Sequence, residues 1–429
     1  MNDFFQLKAN NTTLKTEILA GITTFMTMAY ILAVNPEILS VTGMDRGAVF
    51  SATAVSSLIA TLIMAFLAKL PFALAPSMGL NAFFAFTVCL EMGHTWQFAL
   101  TAVFIEGIIF ILMTFFNIRE MIINSIPENL KHAISVGIGL FIAFIGLKSA
   151  GVIVSNNDTF VSLGKITSNA GVILTLISLL ATGALLAFRV KGALLIGILF
   201  ATLLGIPFHV TELPASFDWT PPSLKPVFMK FEWNQIFTFD MLIVVFTFLF
   251  VDIFNTVGTL IGVASKANML DKKGNIPRVT QALFADAVGT AAGAMLGTPT
   301  VTTYVESAAG VAEGGRTGLT AFTVAVLFFL SLFLSPLFLM IPGAATAPAL
   351  ILVGAMMMSP VKEINLDDYT ELIPAFLCVI MMPLTYSIAD GIVFGMLAYV
   401  LLKILTARTT QVSGIMYGLA VLFILRFFI

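Results

Sequence analysis

Charged residues are scarce in this chain of 429 residues. Asp, Glu, Lys and Arg make up 10% of it, whereas hydrophobic residues make up 59% and the mean hydropathy is +1.03. An ordinary soluble domain is about a quarter charged, so this composition excludes that class. Long apolar runs without alternating polar residues argue against a β-barrel. The sequence therefore predicts a bundle of membrane-spanning helices.

Cysteine and histidine are also rare, with two and three copies. Cys89 and Cys378 lie far apart inside apolar runs, which is more typical of small core residues than of a disulfide or a metal pair. The sequence has no Walker motif, no His-rich metal spacing and no nucleophile elbow. These absences argue against ATP-driven transport, against an enzyme and against a bound metal or cofactor. Nothing in the sequence indicates nucleic-acid binding.

Windows of about 20 residues, the length that spans a bilayer, predict about fourteen crossings, with a further apolar stretch at 412–428. We expect a cytoplasmic N-terminus at 1–16, a first repeat of seven crossings at 17–209, an extracytoplasmic loop at 210–240 and a second repeat at 241–429. With this orientation, lysine and arginine are about three times as frequent in the cytoplasmic loops as in the outer loops, as the positive-inside rule requires.

The third and tenth predicted segments are both interrupted, at 70–81 and 297–307. Proline disfavours a regular helix through Pro71, Pro76 and Pro299. An odd number of crossings per half turns the second half upside down relative to the first, as in inverted-repeat transporters, and paired interruptions mark the substrate site in such proteins. Unwound backbone at membrane depth is tolerated only where it lines a protein-enclosed cavity. The sequence therefore predicts a substrate site between the two stretches.

Acidic side chains inside membrane spans are costly, by about 3 kcal/mol or more at the bilayer centre, so each needs an explanation. Glu306 follows the second interrupted stretch, where its carboxylate could accept two N–H groups of a heterocycle or cap its own half-helix. Asp252 and Asn255 share one helix face and could bind a base or join two helices. Asp286 could relay a proton or hold the unwound stretch by hydrogen bonds.

Other polar and aromatic residues inside the spans give weaker signals. Phe83 and Tyr30 could contact a flat ring, although ordinary packing is the common role for one of 40 phenylalanines. Glu106 and Asp390 are better explained as structural or interfacial groups.

The chain resembles the nucleobase/ascorbate transporter superfamily, specifically its AzgA-like purine permease branch, in APSMGLNAFFAFTV, FVDIFNTVGTLIGVA, ALFADAVGT and GTPTVTTYVESAAGVAEGGRTGL. The resemblance covers nearly the whole chain. It implies two inverted repeats of seven segments, with a core domain at 17–117 plus 241–342 and a gate domain at 130–209 plus 343–429. It also implies proton-coupled uptake of adenine, guanine or hypoxanthine, often by a homodimer.

The resemblance also implies roles for individual residues. The motif TTYVES points to Glu306 as the residue that binds the base, with Tyr304 and Val305 beside it. The branch pattern VDxFDTVG has a carboxylate where this chain has Asn255, and the family usually has glycine in place of Ser77. Either the Asn255 amide keeps the hydrogen bonds without a titratable charge, or Asp252 takes over.

We therefore expect an all-α polytopic protein of the cell (inner) membrane that takes up purine bases with protons and prefers guanine and hypoxanthine to adenine. Candidate partners are the purine base, protons, the lipid bilayer and a second copy of the chain. The predicted substrate-binding residues are Pro76, Ser77, Met78, Gly79, Asn81, Phe83, Asp252, Asn255, Thr302, Thr303, Tyr304, Val305 and Glu306. The predicted proton-coupling residues are Asp252, Asp286 and Glu306.

Two alternative transport functions remain open at this stage. A sulfate or bicarbonate transporter of the same fold would leave helix N-termini bare for the anion or place a cation there, and the acids at 252 and 306 argue against it. An uncoupled channel would not need acids at the interrupted stretches, and flux under a pH gradient would distinguish it from a symporter.

Overall fold

The computed structural model describes residues 4–116, 127–213 apart from 157 and 168, 218–266, 269, 276 and 278–426. The helices in the first half are α1 (Leu14–Met28), α2 (Ile31–Ser40), α3 (Arg46–Ile63), α4 (Met78–Ala82), α5 (Trp96–Phe116), α6 (Glu128–Ser149), α7 (Ala170–Ala187) and α8 (Ala193–Gly205). Those in the second half are α9 (Phe239–Lys266), α10 (Val279–Leu296), α11 (Ser307–Ala312), α12 (Gly318–Ser331), α13 (Ser335–Leu339), α14 (Gly343–Met357), α15 (Tyr369–Leu384), α16 (Ile388–Leu405) and α17 (Gly414–Arg426). The short strands are β1 (Leu74–Pro76), β2 (Ile153–Asn156), β3 (Phe160–Leu163) and β4 (Val301–Thr303).

Among the described residues, nine helical stretches are long and apolar enough to cross a membrane. Shorter apolar helices occupy Met78–Glu91, Ala193–Gly205 and Tyr369–Leu384, and the first of these continues α4 as a π-helix over Phe83–Glu91. The prediction of an all-α polytopic membrane protein is thus confirmed, whereas the number of fourteen crossings stays a prediction.

Both interrupted stretches contain a short strand instead of a regular helix, as the prolines predict. Strands β1 and β4 pair with each other in antiparallel orientation, and Ala75 lies opposite Thr302 at the middle of the pair. All six strand residues are buried. Because buried backbone groups need hydrogen-bond partners, this pairing is what makes two unwound segments tolerable inside the helical bundle.

A threonine on a preceding helix holds the first residue of each strand. Thr61 of α3 accepts the N–H of Leu74 at 3.0 Å and donates to its carbonyl at 3.1 Å. Thr290 of α10 does the same for Val301, at 3.3 and 3.2 Å. The two strands therefore have equivalent surroundings, which is the correspondence that two inverted repeats predict.

Glycine allows the helices around β4 to approach closely. A Cβ atom on Gly289 of α10 would lie 2.7 Å from the Cβ of Ala60 on α3, and one on Gly107 of α5 would lie 2.7 Å from the backbone nitrogen of Ala291. Contacts this short would force the helices apart. The three helices thus form a close-packed support for the strand pair.

A buried carboxylate fastens α1 to the start of α12. Glu17 is 0% exposed, and its Oε1 accepts the N–H of Arg316 at 2.9 Å. Its Oε2 accepts the N–H groups of Thr317 at 3.3 Å and Thr320 at 3.2 Å, and the hydroxyl of Thr320 at 2.6 Å. A carboxylate at a helix N-terminus satisfies N–H groups that have no partner within the helix. Glu17 therefore fixes the loop that follows α11.

Asp368 caps the N-terminus of α15. Its Oδ1 accepts the N–H of Thr370 at 2.9 Å and the Thr370 hydroxyl at 2.8 Å, and its Oδ2 accepts a hydrogen bond from Arg408. The backbone N–H of Thr370, then its hydroxyl and the Arg408 guanidinium, lower the pKa of Asp368 to about 2. The cap is therefore ionised at neutral pH.

Candidate functional site

The candidate site lies where β1 and β4 lead into the helices that follow them. The N–H of Ser77 donates to the carbonyl of Thr300 at 2.9 Å, and the N–H of Tyr304 donates to the carbonyl of Ala73 at 2.9 Å. The Tyr304 hydroxyl donates to the carbonyl of Pro76 at 2.5 Å. The two interrupted stretches thus lie together and form a single hydrogen-bonded unit.

Glu306 lies at the N-terminal end of α11, beside open space. The side chain of Val305 is 56% exposed and Glu306 is half-buried, although Tyr304, just before them, is only 6% exposed. The hydroxyl of Tyr30 donates to Oε1 of Glu306 at 2.7 Å. This bond fixes the carboxylate through one oxygen and leaves the lone pairs of the other available for further donors.

Asn255 connects the ends of both strands. Its Nδ2 group donates to the hydroxyl of Ser77 at 3.0 Å and lies 3.4 Å from the hydroxyl of Thr302. These contacts use the donor side of the amide, so the carbonyl oxygen remains as an acceptor. The two departures from the branch pattern, Asn255 and Ser77, therefore contact each other. The amide side chain is half-buried.

Asp252 and Asp286 lie behind the strand pair and are fully buried. The hydroxyl of Thr256 is 3.0 Å from Oδ1 of Asp252 and 2.8 Å from Oδ2 of Asp286. Oδ1 of Asp286 accepts the N–H of Thr303 at 3.1 Å. This contact is the hydrogen bond to the unwound stretch that the sequence suggested for Asp286, and a role in proton transfer stays a prediction.

Two of the predicted substrate-binding residues, Ser77 and Thr303, already use their backbone N–H groups within the protein. The N–H of Thr303 bonds Asp286 and the N–H of Ser77 bonds Thr300. Met78 and Gly79 occupy the first two positions of α4, where N–H groups have no carbonyl of their own helix to bond. These two residues are therefore the better backbone donors for a ligand.

Two further predicted contacts are buried beneath the strand ends. Phe83 is 1% exposed, and its ring packs edge-to-face against Phe248 with 4.9 Å between centroids. Asn81 is 0% exposed, one turn into the helix that follows Ser77. Their contact with substrate stays a prediction.

Several contacts that support the strands were not predicted from the sequence. Thr300 donates to Oε2 of Glu106 at 2.8 Å, and the structural or interfacial role of this acid stays a prediction. Asn35 donates to Thr298 at 2.9 Å and to Thr53 at 2.7 Å. Asparagine and threonine inside apolar spans indicate that hydrogen bonds are needed there. The partners could not be named from the sequence, because they are distant in the chain.

Comparisons with known proteins agree with this architecture. A profile of the Permease family matches residues 15–394. A putative permease from Methanocaldococcus jannaschii is 51% identical over 99% of this chain and 97% of its own length. The guanine/hypoxanthine permease PbuG of Bacillus subtilis is 45% identical over 100% and 99% of the two chains. The adenine permease AdeP of Escherichia coli is 44% identical over 98% and 94%.

Among solved structures, the transmembrane domain of the cyanobacterial bicarbonate transporter BicA is similar with a TM-score of 0.66. The sequences are 14% identical, and the match covers 88% of this chain and 97% of that one. Identity this low indicates a shared fold and nothing about substrate. Together with the profile and the full-length relatives, the strand pair and its buried acids identify this chain as a membrane transporter of the Permease family, within the nucleobase/ascorbate superfamily and its AzgA-like purine permease branch.

Proposed function

We propose that this protein takes up purine nucleobases with protons and prefers guanine and hypoxanthine to adenine. The observation that carries the proposal is the pair of acceptors at the crossing strands, the Glu306 carboxylate and the Asn255 carbonyl oxygen, both on half-buried side chains. The relatives named guanine/hypoxanthine and adenine permeases support purines as the substrate class.

The chemistry of the site matches the edge of a purine. N–H groups of the base would donate to Glu306 and to the oxygen of Asn255. The N–H groups of Met78 and Gly79 would bond ring nitrogens or a keto oxygen, and Val305 would cover one face. Tyr304 would position the backbone of Pro76, and Thr302 would position the side chain of Asn255. The remaining predicted residues would pack behind the strand ends and define the shape of the site: Asn81, Phe83 and Thr303.

The preference among purines follows from donor and acceptor matching. Hypoxanthine and guanine carry a hydrogen on N1, whereas N1 of adenine is an acceptor. If the base places an acceptor against the Glu306 carboxylate, two acceptors face each other and no hydrogen bond forms. A site that relies on such a hydrogen bond discriminates strongly against substrates that lack the donor. Two acceptor side chains therefore favour the keto purines.

The proposal also covers the domain organisation, the location in the membrane and the oligomeric state of the protein. Residues 17–117 plus 241–342 would form a core domain that moves, by an elevator or rocking motion, against a gate domain of 130–209 plus 343–429. The protein would reside in the cell (inner) membrane with its N-terminus in the cytoplasm, and two copies would form a homodimer. Protonation of a buried acid would lower the cost of moving the loaded site, because a charge is expensive at membrane depth.

Equilibrium binding to the purified protein tests the substrate class. Labelled hypoxanthine should bind, and unlabelled guanine should displace it at lower concentration than adenine does. Bicarbonate and sulfate should not displace it. Binding of labelled sulfate or bicarbonate, without binding of any purine, would replace this proposal with an anion transporter of the same fold.

A further inference from the structure

Ile138 of α6 packs on the start of α4, at the edge of the substrate site. A Cβ atom placed on Gly79 would lie 2.8 Å from Cγ2 of Ile138, so this methyl group rests directly on the backbone of Gly79. A contact this short leaves no space for a side chain at residue 79 while Ile138 stays in place. Met78 and Gly79 supply the backbone N–H groups that the site offers to a ligand. Ile138 therefore lies beside the backbone donors of the substrate site.

The two ends of the site differ in how far they are covered. At the α11 end, the side chain of Val305 is 56% exposed. At the α4 end, Ser77 and Met78 are buried, and so is Ile138 itself. A base that bonds the N–H groups of Met78 and Gly79 has to fit against this covered end. The side chain that packs there therefore limits the space for the base.

Two glycines that flank Ile138 hold it in a fixed position. A Cβ atom on Gly137 would lie 2.6 Å from Sδ of Met382 on α15, and one on Gly139 would lie 2.6 Å from the carbonyl oxygen of Gly354 on α14. Consecutive residues of a helix point about 100° apart, so these three residues face α15, α4 and α14 in turn. Because α14 and α15 both pack closely on the backbone of α6, Ile138 cannot withdraw from α4 unless these helices separate.

We propose that Ile138 is a specificity-determining residue, whose side chain forms a fixed wall at the α4 end of the site and limits the size of the base there. The inference rests on the proposed function, because it concerns the substrate of the same site. A hydrophobic wall selects by volume, and one methyl group more or less against it changes binding by about ten-fold or more. Hypoxanthine therefore fits, whereas a base with a methyl group on the edge that meets Ile138 is excluded.

Denaturant unfolding of purified variants tests the contact without substrate. Gly79→Ala places a methyl group against Ile138, and Ile138→Ala removes the methyl group that it meets. The double variant should therefore lose less stability than the two single variants lose in sum, because residues in contact are not additive. The control pairs Gly79→Ala with Ile142→Ala, since Cδ1 of Ile142 lies 4.0 Å from the same position, and should be closer to additive. Additive losses for Gly79 and Ile138 would overturn the proposal.

Equilibrium binding to the purified protein tests the size selection. Labelled hypoxanthine is displaced by hypoxanthine that carries one methyl group, placed at each ring position in turn. Wild type should bind at least one of these bases about ten-fold or more weakly than hypoxanthine, and Ile138→Ala should reduce that difference about ten-fold. The matched control Ile142→Ala removes an equal volume from a buried isoleucine one turn along α6 and should keep the difference.

Two results would overturn the inference alone. In a protein that binds hypoxanthine, either unchanged ratios for every methylated base in Ile138→Ala or an equal relaxation in Ile142→Ala would show that Ile138 does not select the substrate, and the proposed function would stand. If wild type binds no purine, the proposed function fails and the inference fails with it.

Discussion

Removing the carboxylate of Glu17 should be among the most destabilising single changes to the core of this protein. In Glu17→Ala, the N–H groups of Arg316, Thr317 and Thr320 and one hydroxyl lose their common acceptor. A buried donor without a partner costs about 1–3 kcal/mol. Water entry and relaxation reduce the sum over these neutral groups, so we expect a loss of about 3–5 kcal/mol.

Two further variants sharpen the test. Glu17→Gln keeps one acceptor oxygen and the shape of the side chain, and should lose about half as much, or about 2 kcal/mol. The control Glu313→Gln alters a more exposed acid that pairs with Lys191 on the surface, where such pairs contribute about 0–1 kcal/mol. The assay is denaturant unfolding of the purified proteins in mixed micelles. If Glu17→Ala unfolds like Glu313→Gln, the contacts of Glu17 do not stabilise the core.

Other predictions concern the substrate site and the acid stability. Tyr30→Phe removes the 2.7 Å bond to Glu306, so the KM for hypoxanthine should rise about ten-fold, and an unchanged KM would show that this bond does not position the carboxylate. Ser77→Gly removes the hydroxyl that Nδ2 of Asn255 contacts and should weaken hypoxanthine binding about five-fold. When Asn255 has already been replaced by alanine, Ser77→Gly should weaken binding no further. Asp368, with its lowered pKa of about 2, contributes stability that is complete above its ordinary value of about 3.9 and is lost as the pH falls toward 2. Asp368→Asn should therefore lower the melting temperature at pH 7 and have little effect at pH 2, and an equal loss at both would contradict this cause.

The sequence predicted the interrupted stretches and the acids near them because those signals are local. Pro76 and Pro299 break helix periodicity within a few residues, and Glu306 follows the second break directly. The pairing of these stretches could be inferred from the matching positions in the two halves. The residues of the site could thus be named before their geometry was known.

The hydrogen bonds of the site could not be predicted, because they join residues that are far apart in the chain. Nothing in the motif of Asp286 shows that it bonds Thr303, or that Asn255 bonds Ser77 across 178 positions. Glu17 reads as an ordinary charge at the start of the first span, and only the packing of α1 against α12 shows it to be buried. Long-range partners of this kind require coordinates.

Uptake into proteoliposomes tests the central claim most directly. Labelled hypoxanthine, guanine and adenine are supplied with and without an inward proton gradient to wild type, to Glu306→Gln and to the control Glu313→Gln. We expect hypoxanthine and guanine to accumulate more than adenine under the gradient in wild type and in the control, and accumulation to be abolished in Glu306→Gln. Equal uptake by Glu306→Gln, or no movement of any purine in wild type, would contradict the account.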